Sequence, residues 1–63
     1  MSEDIRRDII VRYNKAFKSG SDEAWKQYRR WLSKLAVKVN AISAEALEDW
    51  AFQSAATLGI RYN

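Results

Sequence analysis

The sequence predicts an all-α protein of three short helices, at about residues 3–18, 22–40 and 44–58. It contains no proline and only two glycines, Gly20 and Gly59, which is typical of helices that are interrupted once and then ended. No stretch alternates between apolar and polar residues in the manner of a strand. Apolar residues instead recur every three or four positions, so the predicted arrangement is a helical hairpin or a small bundle.

The first helix is predicted to begin after Ser2, whose hydroxyl suits the N-cap position. Glu3 and Asp4 then lie in the first turn, where the helix dipole favours carboxylates. Gly20 is expected to end the helix, because a residue without a side chain adopts the left-handed conformation without strain. The stripe predicted to face the core consists of Ile5, Ile9, Tyr13, Ala16 and Phe17, with Ile10 on its edge.

The second helix is predicted to begin after Ser21, again with two acidic residues in its first turn. Its apolar residues are spaced 3, 4, 3, 4 and 3 apart, which is the rhythm of helices that pack at a shallow angle. We expect the early members of this set to point inward together. The predicted set is Trp25, Tyr28, Leu32, Leu35, Val39 and Ile42.

A tight turn at residues 40–43 is predicted to separate the second and third helices. Asn40 tolerates the left-handed conformation, and Ser43 suits the N-cap. Ile42 and Leu47 then occupy the two positions of a hydrophobic staple. One bent helix over residues 22–57 is the structural alternative. The stripe predicted for the third helix is Leu47, Trp50, Ala51, Ala55 and Leu58, and Gly59 is expected to end it.

The chain of 63 residues is expected to form a single domain, 1–63, close to the lower size limit for independent folding. It has no cysteine and no histidine, so disulfides and zinc sites built from thiolate or imidazole ligands are excluded. Small domains commonly need some additional source of stability. With 3 Trp, 3 Tyr and 2 Phe, this chain has two such sources open to it, a dense aromatic core and self-association.

The composition argues against catalysis, because general acid–base and thiol chemistry usually use histidine and cysteine. We therefore expect no enzyme activity, no cofactor and no metal. The longest strongly apolar run is residues 9–11, far short of a membrane span, and the first residues mix both charges. These features lead us to expect a soluble cytoplasmic protein.

Residues 25–39 carry five basic side chains and no acidic one. Helical spacing places Trp25 and Tyr28 on the apolar side, so most of the cations face water. A solvated surface is the simpler interpretation of such a stripe. The alternative is a sequence-tolerant nucleic-acid binder that contacts phosphate through three cations, namely Lys26, Arg30 and Lys34.

Three aromatic residues lie outside the predicted stripes, namely Trp31, Phe52 and Tyr62. Each could cover an edge of the core, or the three could line an interface, where Trp and Tyr are enriched. The second helix is basic and the third acidic, so their flanks should attract one another. The leading hypothesis is a small regulatory protein that binds itself and another protein, with nucleic acid as the alternative partner.

The opening MSEDIRRDIIVRY and the block DEAWKQYRRWLSKLAVKV resemble small early proteins of lambdoid bacteriophages, encoded between the recombination and excision genes. The resemblance covers length and general character over the whole chain. It implies an accessory regulator in the host cytoplasm that modulates host physiology or the lysis–lysogeny decision by binding a host protein. It assigns no site residues.

Overall fold

The computed structural model of the chain describes residues 2–62, so the two end residues of the predicted domain, 1 and 63, lie outside it. Within this range the chain forms three helices and no strand. They are α1 (Glu3–Ser19), α2 (Asp22–Lys38) and α3 (Ala44–Leu58). The predicted all-α fold is confirmed, although α2 ends two residues earlier than expected.

A serine caps the beginning of each helix. The hydroxyls of Ser21 and Ser43 each accept a hydrogen bond, 3.0 Å long, from the backbone N–H three residues further on. The Ser2 hydroxyl does the same for α1 at 3.3 Å. Each bond satisfies one of the N–H groups that a helix leaves without a partner at its beginning. Local chemistry therefore fixes where all three helices start.

The helices end in left-handed residues, as predicted. Gly20 has φ 67° and Gly59 has φ 70°, and Asn40 adopts φ 58° in the turn between α2 and α3. Asparagine is among the few residues other than glycine that tolerate this conformation. The turn separates α2 from α3, so the alternative of one bent helix over residues 22–57 is wrong.

Each helix packs against both of the others, so the molecule is a three-helix bundle rather than one hairpin with an appended helix. The core takes three buried side chains from each helix, and four of the nine are alanine. Small side chains let helix axes approach closely. The buried residues are Ile9, Ile10, Ala16, Tyr28, Leu32, Ala36, Leu47, Ala51 and Ala55.

Aromatic rings from all three helices meet around Tyr13 of α1. Its ring centroid lies 5.1 Å from that of Trp25, 5.7 Å from that of Tyr28 and 4.9 Å from that of Phe52, each in an edge-to-face arrangement. Such pairs contribute about 0.5–1.5 kcal/mol beyond their buried area. This cluster is the dense aromatic core that the composition predicts for so small a domain.

The buried stripe of α2 differs from the predicted seam. Tyr28, Leu32 and Ala36, four residues apart, are buried, whereas Trp25 and Leu35 are half-buried and pack against the edge of the core. A helix that packs against two neighbours buries a wider surface than the narrow seam of a two-helix contact. The residues predicted to point inward therefore lie on one side of α2, but the buried surface is centred on Leu32 rather than on the predicted seam.

For three residues of the predicted apolar stripes, the expectation that they face the core is wrong. Ile42 is 97% exposed and so cannot pack as a staple on Leu47, which is 1% exposed. The left-handed Asn40 ends the helical register before Ile42, so its heptad position no longer points toward the core. Phe17 and Leu58, close to the ends of α1 and α3, are 69% and 60% exposed because no neighbouring helix covers them.

Candidate functional site

A cleft of about 260 Å³ lies between α1 and α2, and we call it the α1–α2 cleft. Its floor is apolar and its rim is polar or basic, with no acidic side chain among the residues that line it. They are Arg12, Lys15, Ala16, Ser19, Ala24, Gln27, Tyr28 and Trp31.

Two further clefts adjoin it. One shares Trp31 and continues along α2 past Lys34 and Lys38, and the other shares Lys15 and continues along α1 to Lys18. Neither is lined by an acidic residue. We call the surface of the three clefts the basic face, because five exposed cations from two helices line it. The cations are Arg12, Lys15, Lys18, Lys34 and Lys38.

The Arg12 guanidinium lies over the Trp31 ring, 4.5 Å from its centroid. Trp31 is half-buried, and its centroid is 6.1 Å from that of Tyr28 beneath it. Arg12 is exposed and forms no hydrogen bond or ion pair within residues 2–62. Its contact with Trp31 is therefore its main restraint.

A second arginine–tryptophan pair on the α1–α3 side is held differently. The Arg6 guanidinium lies 5.2 Å from the Trp50 ring centroid. Arg6 also donates through Nε to the Ser54 hydroxyl at 2.7 Å and through Nη1 to the Glu3 carboxylate at 3.1 Å, and its side chain is only 12% exposed. Arg6 is thus held by three contacts, whereas Arg12 is held by one.

The three cations predicted to contact phosphate are not brought together in one site. Lys34 lies on the basic face, beside Trp31. Lys26 and Arg30 are exposed but line neither the α1–α2 cleft nor the two clefts that adjoin it. They face outward on α2, about one turn apart.

The aromatic residues predicted to line an interface are all half-buried by the bundle itself. Phe52 packs edge-to-face on Tyr13, and the Tyr62 hydroxyl donates a hydrogen bond to the Glu3 carboxylate. Trp31 is covered by Arg12. Intramolecular packing accounts for these rings, so they do not by themselves require a partner.

The main polar contact between α2 and α3 is a hydrogen bond of 2.6 Å from the Tyr28 hydroxyl to the Glu48 carboxylate. Burial raises the pKa of the Tyr28 hydroxyl above its ordinary value, and this hydrogen bond raises it further. Within residues 2–62 no ion pair joins the basic α2 to the acidic α3. The expected attraction between their flanks is therefore not expressed as direct pairing.

No family model, curated protein or solved structure matches the chain. The resemblance to lambdoid phage early proteins therefore stays a prediction. In the described part of the chain, no helix is long and apolar enough to cross a membrane.

Sequence reasoning missed the contribution of α1 to the basic face. Arg12, Lys15 and Lys18 recur at three-residue spacing, which places them along one side of a helix. This spacing was the signal that could have identified them. Their proximity to Trp31 could not be found this way, because it depends on how α1 packs on α2.

Proposed function

We propose that this protein is a small non-enzymatic binding protein that holds the phosphate backbone of a nucleic acid on its basic face. One observation carries the proposal: five exposed cations from α1 and α2 surround three contiguous clefts that no acidic side chain lines. Within these clefts no carboxylate stands against a bound polyanion. Backbone contacts of this kind give affinity without sequence preference.

The distribution of charge supports this assignment more than the net charge does. The whole chain carries only +3, yet five of its 11 cations lie on this one surface. The acidic residues of α3 lie elsewhere, where Glu45 and Glu48 line a groove with Arg29. A local excess of one sign in a concave region concentrates counter-ions and steers charged partners.

The test is fluorescence anisotropy of a labelled oligonucleotide at low ionic strength. Lys34→Glu combined with Lys38→Glu should weaken binding at least about tenfold, because two phosphate contacts become repulsive. The matched control, Lys26→Glu combined with Arg30→Glu, makes the same change in net charge on the outward side of the same helix. It should retain most of the affinity.

Equal losses in the two double variants would show that net charge, not the basic face, governs binding. A protein that fails to bind any oligonucleotide at low salt contradicts the proposal outright. Binding of an acidic polypeptide as tightly as of an oligonucleotide of similar charge would assign the face to acidic proteins instead.

A second candidate is the regulatory protein-interaction role, with a second copy of the chain as the first partner to test. The observation that favours it is the corner where α2 meets α3. There Val37 and Ile42, five residues apart in sequence, are 79% and 97% exposed. Large aliphatic side chains so exposed gain from burial against another surface. In this proposal self-association covers the corner, in keeping with the self-association predicted from chain length.

A further inference from the structure

We infer that the α1–α2 cleft takes one unpaired nucleobase, which stacks on Trp31 in place of the Arg12 guanidinium. The inference rests on the proposed function and adds to it the class of nucleic acid, a single strand. Four features of the cleft support it: the ring, the single contact that holds Arg12 over the ring, the polar rim and the size.

Trp31 is the aromatic ring that lines both the α1–α2 cleft and the adjoining cleft along α2. Proteins that bind single strands combine a basic groove with aromatic rings on which bases stack. Lys34 and Lys38 line the adjoining cleft together with Trp31, and Arg12 and Lys15 line the α1–α2 cleft with it. A strand that places a base on Trp31 thus carries its phosphates past the cations of both clefts.

The cover of the ring is exchangeable. Arg12 is exposed and is held by Trp31 alone, whereas Arg6 over Trp50 is also held by Ser54 and Glu3. Losing an exposed arginine–tryptophan contact corresponds to roughly 2- to 5-fold in an equilibrium constant, and losing a stacked base to roughly 5- to 150-fold. Replacement of the guanidinium by a base is therefore favourable.

The displaced Arg12 does not lose its role. Once its guanidinium leaves the ring, it lies at the rim of the same cleft, where a phosphate next to the stacked base accepts its hydrogen bonds. The exchange converts a cation–π contact into a charge-assisted contact with the ligand.

The cleft also has the size and chemistry of a base site. Its volume of about 260 Å³ lies below the roughly 300 Å³ at which pockets begin to enclose drug-sized ligands. Ser19 and Gln27 line it and offer a hydroxyl and an amide to the edge of a base. A paired base in a duplex presents neither its ring surface nor its pairing edge, so the site selects an unpaired one.

The deciding experiment uses the wild-type protein and two labelled strands with the same number of phosphates, one carrying bases and one abasic. The base-bearing strand should bind roughly 5- to 150-fold more tightly. Both strands should show the same dependence on salt, because they make the same phosphate contacts. The base-bearing strand alone should quench tryptophan fluorescence, and the corresponding duplex should bind more weakly than the single strand.

The protein variants are Trp31→Leu and its matched control Trp50→Leu, which removes the other half-buried tryptophan with an arginine over it. Trp31→Leu should abolish the preference for the base-bearing strand, and Trp50→Leu should retain it. Circular dichroism verifies the helical fold of both. If either variant fails to fold, the comparison of the two strands on wild-type protein decides alone.

Equal affinity for base-bearing and abasic strands overturns the inference while leaving the proposed backbone binding intact. Equal affinity for the single strand and the duplex likewise overturns the inference and leaves the proposed backbone binding intact. If neither strand binds at low salt, the proposed function falls together with the inference.

Discussion

Replacing Tyr28 by phenylalanine tests the hydrogen bond between its hydroxyl on α2 and Glu48 on α3. The hydroxyl donates to the Glu48 carboxylate at 2.6 Å, while Tyr28 as a whole is 6% exposed and its ring packs on its aromatic neighbours. Phenylalanine keeps the ring and removes the bond. A hydrogen bond to a charged group contributes about 1.5–3 kcal/mol. Glu48 is half-buried, so water recovers part of its loss and we expect a cost of about 1–2 kcal/mol.

That cost should be readily measurable in so small a domain. A change of 1 kcal/mol shifts the melting temperature by about 4–8 °C in domains of this size. Thermal unfolding followed by circular dichroism should therefore show Tyr28→Phe melting roughly 4–16 °C below the wild type at neutral pH. Tyr62→Phe is the matched control, because its hydroxyl also donates to a carboxylate, that of Glu3, but less of the residue is buried. It should melt close to the wild type, because a hydrogen bond in contact with water contributes little to stability.

The difference between wild type and Tyr28→Phe should also narrow at high pH. The pKa of Tyr28 is raised in the folded protein, so above about pH 10 the unfolded chain releases this proton while the folded chain keeps it. The free energy of unfolding of the wild type then falls by up to about 1.4 kcal/mol per pH unit because of this hydroxyl. The phenylalanine variant has no hydroxyl at this position and so does not show this decrease. A gap that is absent at pH 7, or that stays constant to pH 11, refutes the bond as described.

Two further predictions concern the core and the exposed corner. Leu47→Ala should cost about 2–5 kcal/mol and abolish the cooperative urea transition, because Leu47 is 1% exposed and a domain of this size has little stability to lose. Leu58→Ala, at a position 60% exposed, should unfold like the wild type. If Leu47→Ala and Leu58→Ala lost similar amounts of stability, the assignment of Leu47 to the core would be contradicted. Analytical ultracentrifugation at high micromolar concentration should show a dimer that Ile42→Ser, together with Val37→Ser, disrupts. A wild type that sediments as a monomer removes the second candidate function.

The beginnings and ends of the helices could be predicted because they depend on local chemistry. Ser21 bonds its own helix, and Gly20 and Asn40 adopt backbone angles that few other residues tolerate. None of these features needs knowledge of distant residues. The same is true of the number of helices and of the absence of strands from residues 2–62.

The exposure of apolar residues could not be predicted as well, because it depends on which side the third helix covers. Ile10, expected at an edge, is 5% exposed, while Phe17 of the same predicted stripe is 69% exposed. The candidate site also depends on how the helices pack, which the sequence pattern does not reveal. Periodicity places Lys34 beside Trp31 on one helix, but only packing brings Arg12 of another helix over that ring.

The bond between Tyr62 and Glu3 joins opposite ends of the described chain. Entry and exit points of the bundle are therefore neighbours, a geometry that favours circular permutation and insertion into a loop of another protein. Along α1, Glu3 lies about 14 Å from Arg12 at 1.5 Å per residue. A fluorophore or fusion partner attached near either end is thus separated from the part of the α1–α2 cleft next to Arg12, which makes both ends suitable attachment points.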